Sequence, residues 1–160
     1  DSLKVEGRTK SLYYVARVAQ VYRHAIDDAV AGRPFNRDLL IQLEGLASRG
    51  YTGGLLERRP AQDYQNYITG HSEFNRSQFV GEVRGMLGDG WAEVEVKNRF
   101  EKGDVLEIIH PSGNQLLRLD EMTNMDGVPI EAAPGSPLHV RMPLDARFEG
   151  ALIARMLKAA

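Results

Sequence analysis

Cysteine does not occur anywhere in the 160 residues. Its absence excludes disulfides, thiolate nucleophiles, zinc–thiolate centres and cysteine-ligated iron–sulfur clusters from this stretch of chain. It fits a cytoplasmic setting, the expected location, without requiring one. Apolar runs near the roughly 18 residues of a membrane span are also missing, as is a secretory signal, so no membrane partner is expected. The four histidines, His24, His71, His110 and His139, are scattered and form no His-x-x-x-His pair. There is no Gly-x-Ser-x-Gly, and no histidine has an evident nucleophile partner. The chain has no initiator methionine and opens on a strand-like pattern, so it is expected to be a piece of a longer protein.

What is present describes a globular chain. A content of 42% hydrophobic and 26% charged residues can bury a core. The charge is uneven. Residues 1–76 carry 11 Lys+Arg against 9 Asp+Glu, whereas residues 77–160 carry 9 against 13. An acidic second half argues against general nucleic-acid binding there, because phosphate contact is mainly electrostatic. Contact with nucleic acid would use the first half or a few local cations.

The hydrophobic periods divide the chain. Residues 3–6 alternate as a strand, and Gly7-Arg8-Thr9-Lys10-Ser11 follows as a loop. Tyr14, Val15, Val18, Val21, Tyr22, Ala25, Ile26 and Ala29 then form a helical stripe. Thr9 or Ser11 can cap it, and Gly32 and Pro34 end it. A lone strand–helix unit cannot satisfy its strand edges. Residues 1–32 are therefore expected to be the last such unit of a truncated β/α-barrel domain. Asn36 opens a second helix over residues 37–48. Residues 50–76 have no sustained period and, with the second helix, make up a helix-and-linker segment over 33–76. From residue 77 the pattern is of short strands: 79–86, 91–96, 105–109, 115–119, a hairpin over 122–130 with Asp126-Gly127 at its tip, 138–142, and 150–157 as strand or short helix. Strands at this spacing predict a small antiparallel β-barrel over 77–160. The fold class is thus mainly β, with two helices and an irregular linker ahead of the barrel.

Candidate contact residues follow from position and charge. Lys4, Glu6, Arg8 and Lys10 surround the loop before the first helix, where free N–H groups attract anions. Arg8 is the foremost candidate, because its planar fork suits carboxylate or phosphate. Arg58, Arg59, Tyr64 and Tyr67 interleave cations with aromatics in the linker, a pattern that stacks bases or pins an irregular segment to a core. Lys97 and Arg99 sit in a turn and either contact a phosphate backbone or are simply solvated. Glu93 and Glu95 share a strand face with Trp91, the spacing of a solvent face rather than of an acid–base pair.

Three runs carry a family resemblance. LKVEGRTKSLYYVARVAQVYRHAID, GYTGGLLERRPAQDYQNYITGHS and WAEVEVKNRFEKGDVLEIIHPSG resemble the C-terminal region of the bacterial peptidase U32 family. They are most similar to its branch acting in tRNA wobble-uridine hydroxylation to 5-hydroxyuridine. The resemblance implies a terminal barrel like the second domain of translation factors, tRNA and the protein's own upstream catalytic domain as partners, and an iron–sulfur cluster held upstream. Prephenate is implied as a requirement. The piece itself would be an accessory or substrate-binding region with no catalytic residue and no metal of its own. Two other readings stay open: substrate recognition by a collagenase-like U32 peptidase, and a barrel that only caps or dimerises. The oligomeric state is left open.

Overall fold

A computed structural model describes residues 2, 4–8, 10–44, 46 and 74–158 of the chain. It contains two compact units, one of residues 1–76 with 159–160 and the other of residues 77–158.

In the first unit, helix α1 spans Leu12–Val30 and starts where Ser11 accepts a hydrogen bond from the Tyr14 backbone N–H. Tyr13, Val18 and Val21 form its buried stripe, joined by Arg17, whose guanidinium lies 5.9 Å from the centre of the Tyr13 ring. Helix α2 covers Asp38–Glu44 within the expected 37–48, of which residues 45, 47 and 48 lie outside the described residues; it is opened by Asn36, whose side chain accepts from the Asp38 N–H at 2.9 Å. Leu39 and Leu46 are buried. The strand expected at the start does not form: residues 4–7 have no sheet pairing. A strand needs a neighbour to take its backbone groups, and none of the described residues provides one. The linker beyond Leu46, including Arg58, Arg59, Tyr64 and Tyr67, lies outside the described residues.

The second unit is antiparallel and opens with the long strand β1 (Phe74–Gly88), which folds back on β2 (Trp91–Val96) through the Asp89-Gly90 turn. Both turn residues have positive φ, 51° and 78°, the geometry that matches the twist of two paired strands. There follow β3 (Phe100–Glu101), β4 (Val105–Ile109), β5 (Gln115–Arg118), β6 (Thr123–Asn124), β7 (Ala132–Ala133), β8 (His139–Pro143), a 3₁₀ turn at Ala146–Phe148, and β9 (Leu152–Lys158). The chain end expected as strand or helix is therefore strand. Ala92, Val94, Val96, Leu106, Ile108, Val140, Met142 and Ile153 point into one core together with Phe100 and Phe148.

The sheet is curled but not closed, which corrects the barrel expectation. Its strands run β5-β4-β9-β1-β2-β8-β6, and β3 and β7 form a separate pair. Closure would need the two edge strands, β5 and β6, to pair. Instead Leu119 and Met122, on the link between them, drop into the core. The chain at Leu119 bonds back to the turn before β4: its N–H donates to the Asp104 carbonyl and its own carbonyl accepts from Gly103. Pro129, at the bridge to Thr123, brings no N–H with which to extend β6.

One close approach holds the centre of the sheet. A Cβ built on Gly81 of β1 would stand 2.8 Å from Val94 Cγ1 and 3.0 Å from the Glu95 carbonyl oxygen. Neither a β-branched side chain nor a paired backbone can give way cheaply. Gly85, on the same strand, meets nothing within 4 Å. Gly81→Ala should therefore cost about 1–3 kcal/mol in urea unfolding, the typical cost of overpacking. Gly85→Ala should stay close to wild type. Equal stability of the two variants would contradict this packing.

Candidate functional site

The loop before α1 holds the first set of candidates. Lys4, Glu6, Arg8 and Lys10 are all exposed. The Lys10 N–H donates to the Gly7 carbonyl at 3.0 Å and closes a turn. Gly7 lies so near the helix that an added Cβ would be 3.0 Å from Val15 Cγ2, so the loop is pressed against the first turns of α1. The Lys10 ammonium sits 5.5 Å from the centre of the Tyr14 ring. Glu6 forms no ion pair with a described residue, so it orients none of the three cations.

The second set is built on the outer face of the sheet. In the β1–β2 register Glu82 stands directly opposite Glu95, a like-charge pair that is unfavourable unless neutralised. A register shift between Val83 and Gly85 leaves Arg84 as the extra residue of a bulge. Arg84 reaches both carboxylates, with 2.9 Å to Glu82 and a closer contact to Glu95. Lys97 completes the cluster, 2.6 Å from Glu95 and 3.9 Å from Glu82. Arg99 pairs with Glu101 at 2.7 Å. Both turn cations singled out from the sequence thus already face carboxylates.

The same is true across the unit. Lys102 pairs with Glu131, Arg118 with Asp120, Arg147 with Asp145 and Arg155 with Asp104, all within 4 Å. Arg141 is the exception among the described side chains. It faces Glu93 in the β2–β8 register, yet Glu93 is held by His139 Nδ1 at 2.6 Å. The Arg141 guanidinium makes no hydrogen bond or ion pair with a described residue, and its Nε is buried. It lines a pocket of about 280 Å³ with Trp91, Asp89, Thr123 and Gly127. Two turns build that pocket: the Asp89-Gly90 hairpin, and a loop in which Asn124 Oδ1 accepts from the N–H groups of Asp126 and Val128. Sequence reasoning did not single out Arg141. The signals were the alternation of apolar and basic residues along β8 and the single tryptophan, which the fold places on the neighbouring strand β2.

The chain has no cysteine to hold an iron–sulfur cluster. Among the described residues no three His, Asp or Glu side chains are grouped to hold a metal ion. No described helix is long and apolar enough to cross a membrane.

The carboxylate cluster has a pH signature. Hydrogen bonds from Lys97 and then Arg84 hold the Glu95 carboxyl far below its ordinary value of 4.5, at about 2. A depressed carboxyl stabilises the fold above its unfolded value and loses that contribution as pH falls through its folded value. Resistance of the chain to urea should therefore fall between pH 4.5 and about 2, and Glu95→Gln should flatten this slope. The carboxylate is partly open to solvent, so high salt should shrink the difference. Identical slopes for the two proteins would show that the cluster does not couple to folding.

Comparison with known proteins places these features in a family. The model for the peptidase family U32 C-terminal domain matches residues 75–155, and that for peptidase family U32 matches residues 1–66. The chain is 52% identical to tRNA hydroxylation protein P of Escherichia coli over 96% of its length, and 48% identical to that of Haemophilus influenzae over 98%. It spans about a third of the length of these curated relatives, 34% and 35%. A U32-family C-terminal domain from Geobacillus thermoleovorans, solved by crystallography, aligns with a TM-score of 0.46 at 24% identity, covering 50% of this chain and 93% of that one. With the C-terminal model spanning half of its residues, the chain belongs to peptidase family U32.

Proposed function

We propose that this chain is the accessory, substrate-placing region of a cytoplasmic protein that hydroxylates the wobble uridine of tRNA. The observation that carries this is its 52% identity to a tRNA hydroxylation protein over nearly all of its length. The reaction itself, and any iron–sulfur cluster, belongs to parts of the longer protein that are not in this sequence. Residues 1–32 would be the last strand–helix unit of the catalytic domain and 33–76 the link to the β unit. Leu12, Val15, Tyr22, Ile26 and Val30 leave much of α1 apolar and exposed, the kind of surface that docks on a neighbouring domain. The rest of the longer protein is the proposed partner of that face.

In this reading the tRNA phosphates are met by Arg8 and Lys10 beside the α1 start, where helix N–H groups also favour anions. The β unit adds little charge of its own, since its cations are largely paired with carboxylates. Backbone contact is therefore sparse. Binding of the chain to unmodified tRNA should fall with salt along a shallow log–log slope, about −2 to −4, as expected for a few released counterions. Exchanging both Arg8 and Lys10 for Gln should flatten that slope by roughly one to two. A steep slope that the double exchange leaves unchanged would move the contact elsewhere.

The activity is tested in cells lacking their own copy of the full-length protein. Restoring it should restore 5-hydroxyuridine in digested tRNA, read by mass spectrometry. Unchanged nucleoside content with and without the protein would refute the assignment.

A further inference from the structure

The pocket between the Asp89-Gly90 hairpin and the 124–128 loop has a chemistry of its own. We infer that it captures one unpaired, carbonyl-bearing nucleobase, guanine or uracil, stacked on Trp91 and read by the Arg141 guanidinium. This rests on the reading above that the chain handles RNA.

Arg141 stands apart from the other cations of its unit. Seven other described cationic side chains of the unit, Arg84, Lys97, Arg99, Lys102, Arg118, Arg147 and Arg155, face a carboxylate within 4 Å. Arg141 faces none, although Glu93 lies opposite it in register; Glu93 is paired instead with His139. A buried guanidinium nitrogen without an acceptor is costly unless something supplies one. The rigid fork of N–H donors suits a planar group carrying acceptors.

Trp91 stands beside it in the pocket wall. Trp91 is half-buried, and its ring stacks on no described aromatic ring or cation. An indole offers any base a π-face, and such stacking is a principal means of holding single-stranded nucleic acid. At about 280 Å³ the pocket is at the small end of ligand sites and suits one planar ring system. Asp89 at its rim is an acceptor for ring N–H groups and disfavours a phosphate deep inside.

Among the described side chains the unit offers no continuous row of free cations, which disfavours its outer face as a track for a phosphate backbone. One free guanidinium beside one indole is the pattern that reads a base edge and face, while phosphates serve for positioning. Guanine O6 and uracil O4 present an acceptor to the fork at the position where adenine and cytosine present an amino donor to a group that is itself all donor.

The chain's only tryptophan is therefore a built-in reporter. Trp91 emission, excited at its red edge to avoid base absorption, is titrated with GMP, UMP, AMP and ribose 5-phosphate. Saturable quenching is expected with GMP or UMP, weaker quenching with AMP, and none with ribose 5-phosphate. Arg141→Gln should weaken GMP binding about tenfold, the loss expected for one bidentate contact to O6 and N7, and UMP binding by less, since uracil offers the fork a single carbonyl. Arg118→Gln removes the same charge on the opposite edge strand and should change binding less than twofold. For Trp91→Phe, which has no optical signal, a filter-binding competition against a short single-stranded RNA should show weakened affinity.

Quenching by ribose 5-phosphate equal to that by GMP would overturn the inference in favour of an anion site. Saturation by a short peptide carboxylate, with no effect of nucleotides, would overturn it in favour of a peptide site. No saturable quenching by any nucleotide or short RNA would overturn it outright, and would leave the functional reading standing if the full-length protein still restored 5-hydroxyuridine. Failure of that restoration removes the functional reading independently of the fluorescence.

Discussion

The alternation along β2 governs both faces of the β unit at once. Ala92, Val94 and Val96 are fully buried, while Trp91, Glu93 and Glu95 face outward. Gly81 lets β1 approach Val94 more closely than any side chain would permit. A slip of one residue would place an indole and two carboxylates in the core, so the register is firmly specified. The outward consequences follow from it. The register that buries the valines sets Glu82 against Glu95 and Glu93 against Arg141. The first of these pairings is unfavourable, and the bulge at Arg84 together with Lys97 makes it tolerable. In the second no ion pair forms: Glu93 pairs with His139, and the arginine is left free.

This pattern limits how the unit could meet RNA. A surface whose cations are paired with carboxylates offers little to a phosphate backbone, whatever its count of lysines and arginines. The sites that remain are local: a free guanidinium and an indole on the β unit, and exposed cations at the start of α1 in the other. Such a division, with phosphates met in one place and a base read in another, matches the separation of positioning from recognition that nucleic-acid contacts commonly show.

Much of the fold was legible because its signals are local. β2 and β4 occur over the residues that alternation and flanking glycine turns predicted, Trp91–Val96 and Val105–Ile109. The Asp89-Gly90 turn has the positive φ values its sequence calls for. Closure of the sheet was not legible, because it depends on whether two distant edge strands meet. Leu119 and Met122 turn inward between them, and no local period announces that. The starting strand is a related case: residues 3–6 carry strand-like alternation, and the described residues among them have no described neighbour to pair with. For the candidate site the obstacle was partnership. Lys97 and Arg99 look like free turn cations in the sequence, and only the folded register shows the carboxylates they face. Arg141 looks like one more basic residue on an alternating strand, and only the His139–Glu93 pair shows that it is left without a partner.

The most direct test of an RNA-facing outer surface is a residue-by-residue map of contact. The ¹⁵N-labelled chain is titrated with an unmodified anticodon stem–loop that carries a wobble uridine. Shift changes should concentrate on the Trp91 indole N–H, the Arg141 side chain and the amides of Asp89 and Gly127, with core amides such as Val94 and Ile108 unmoved. Changes confined to residues outside this face, or none at all at saturating RNA, would contradict the assignment.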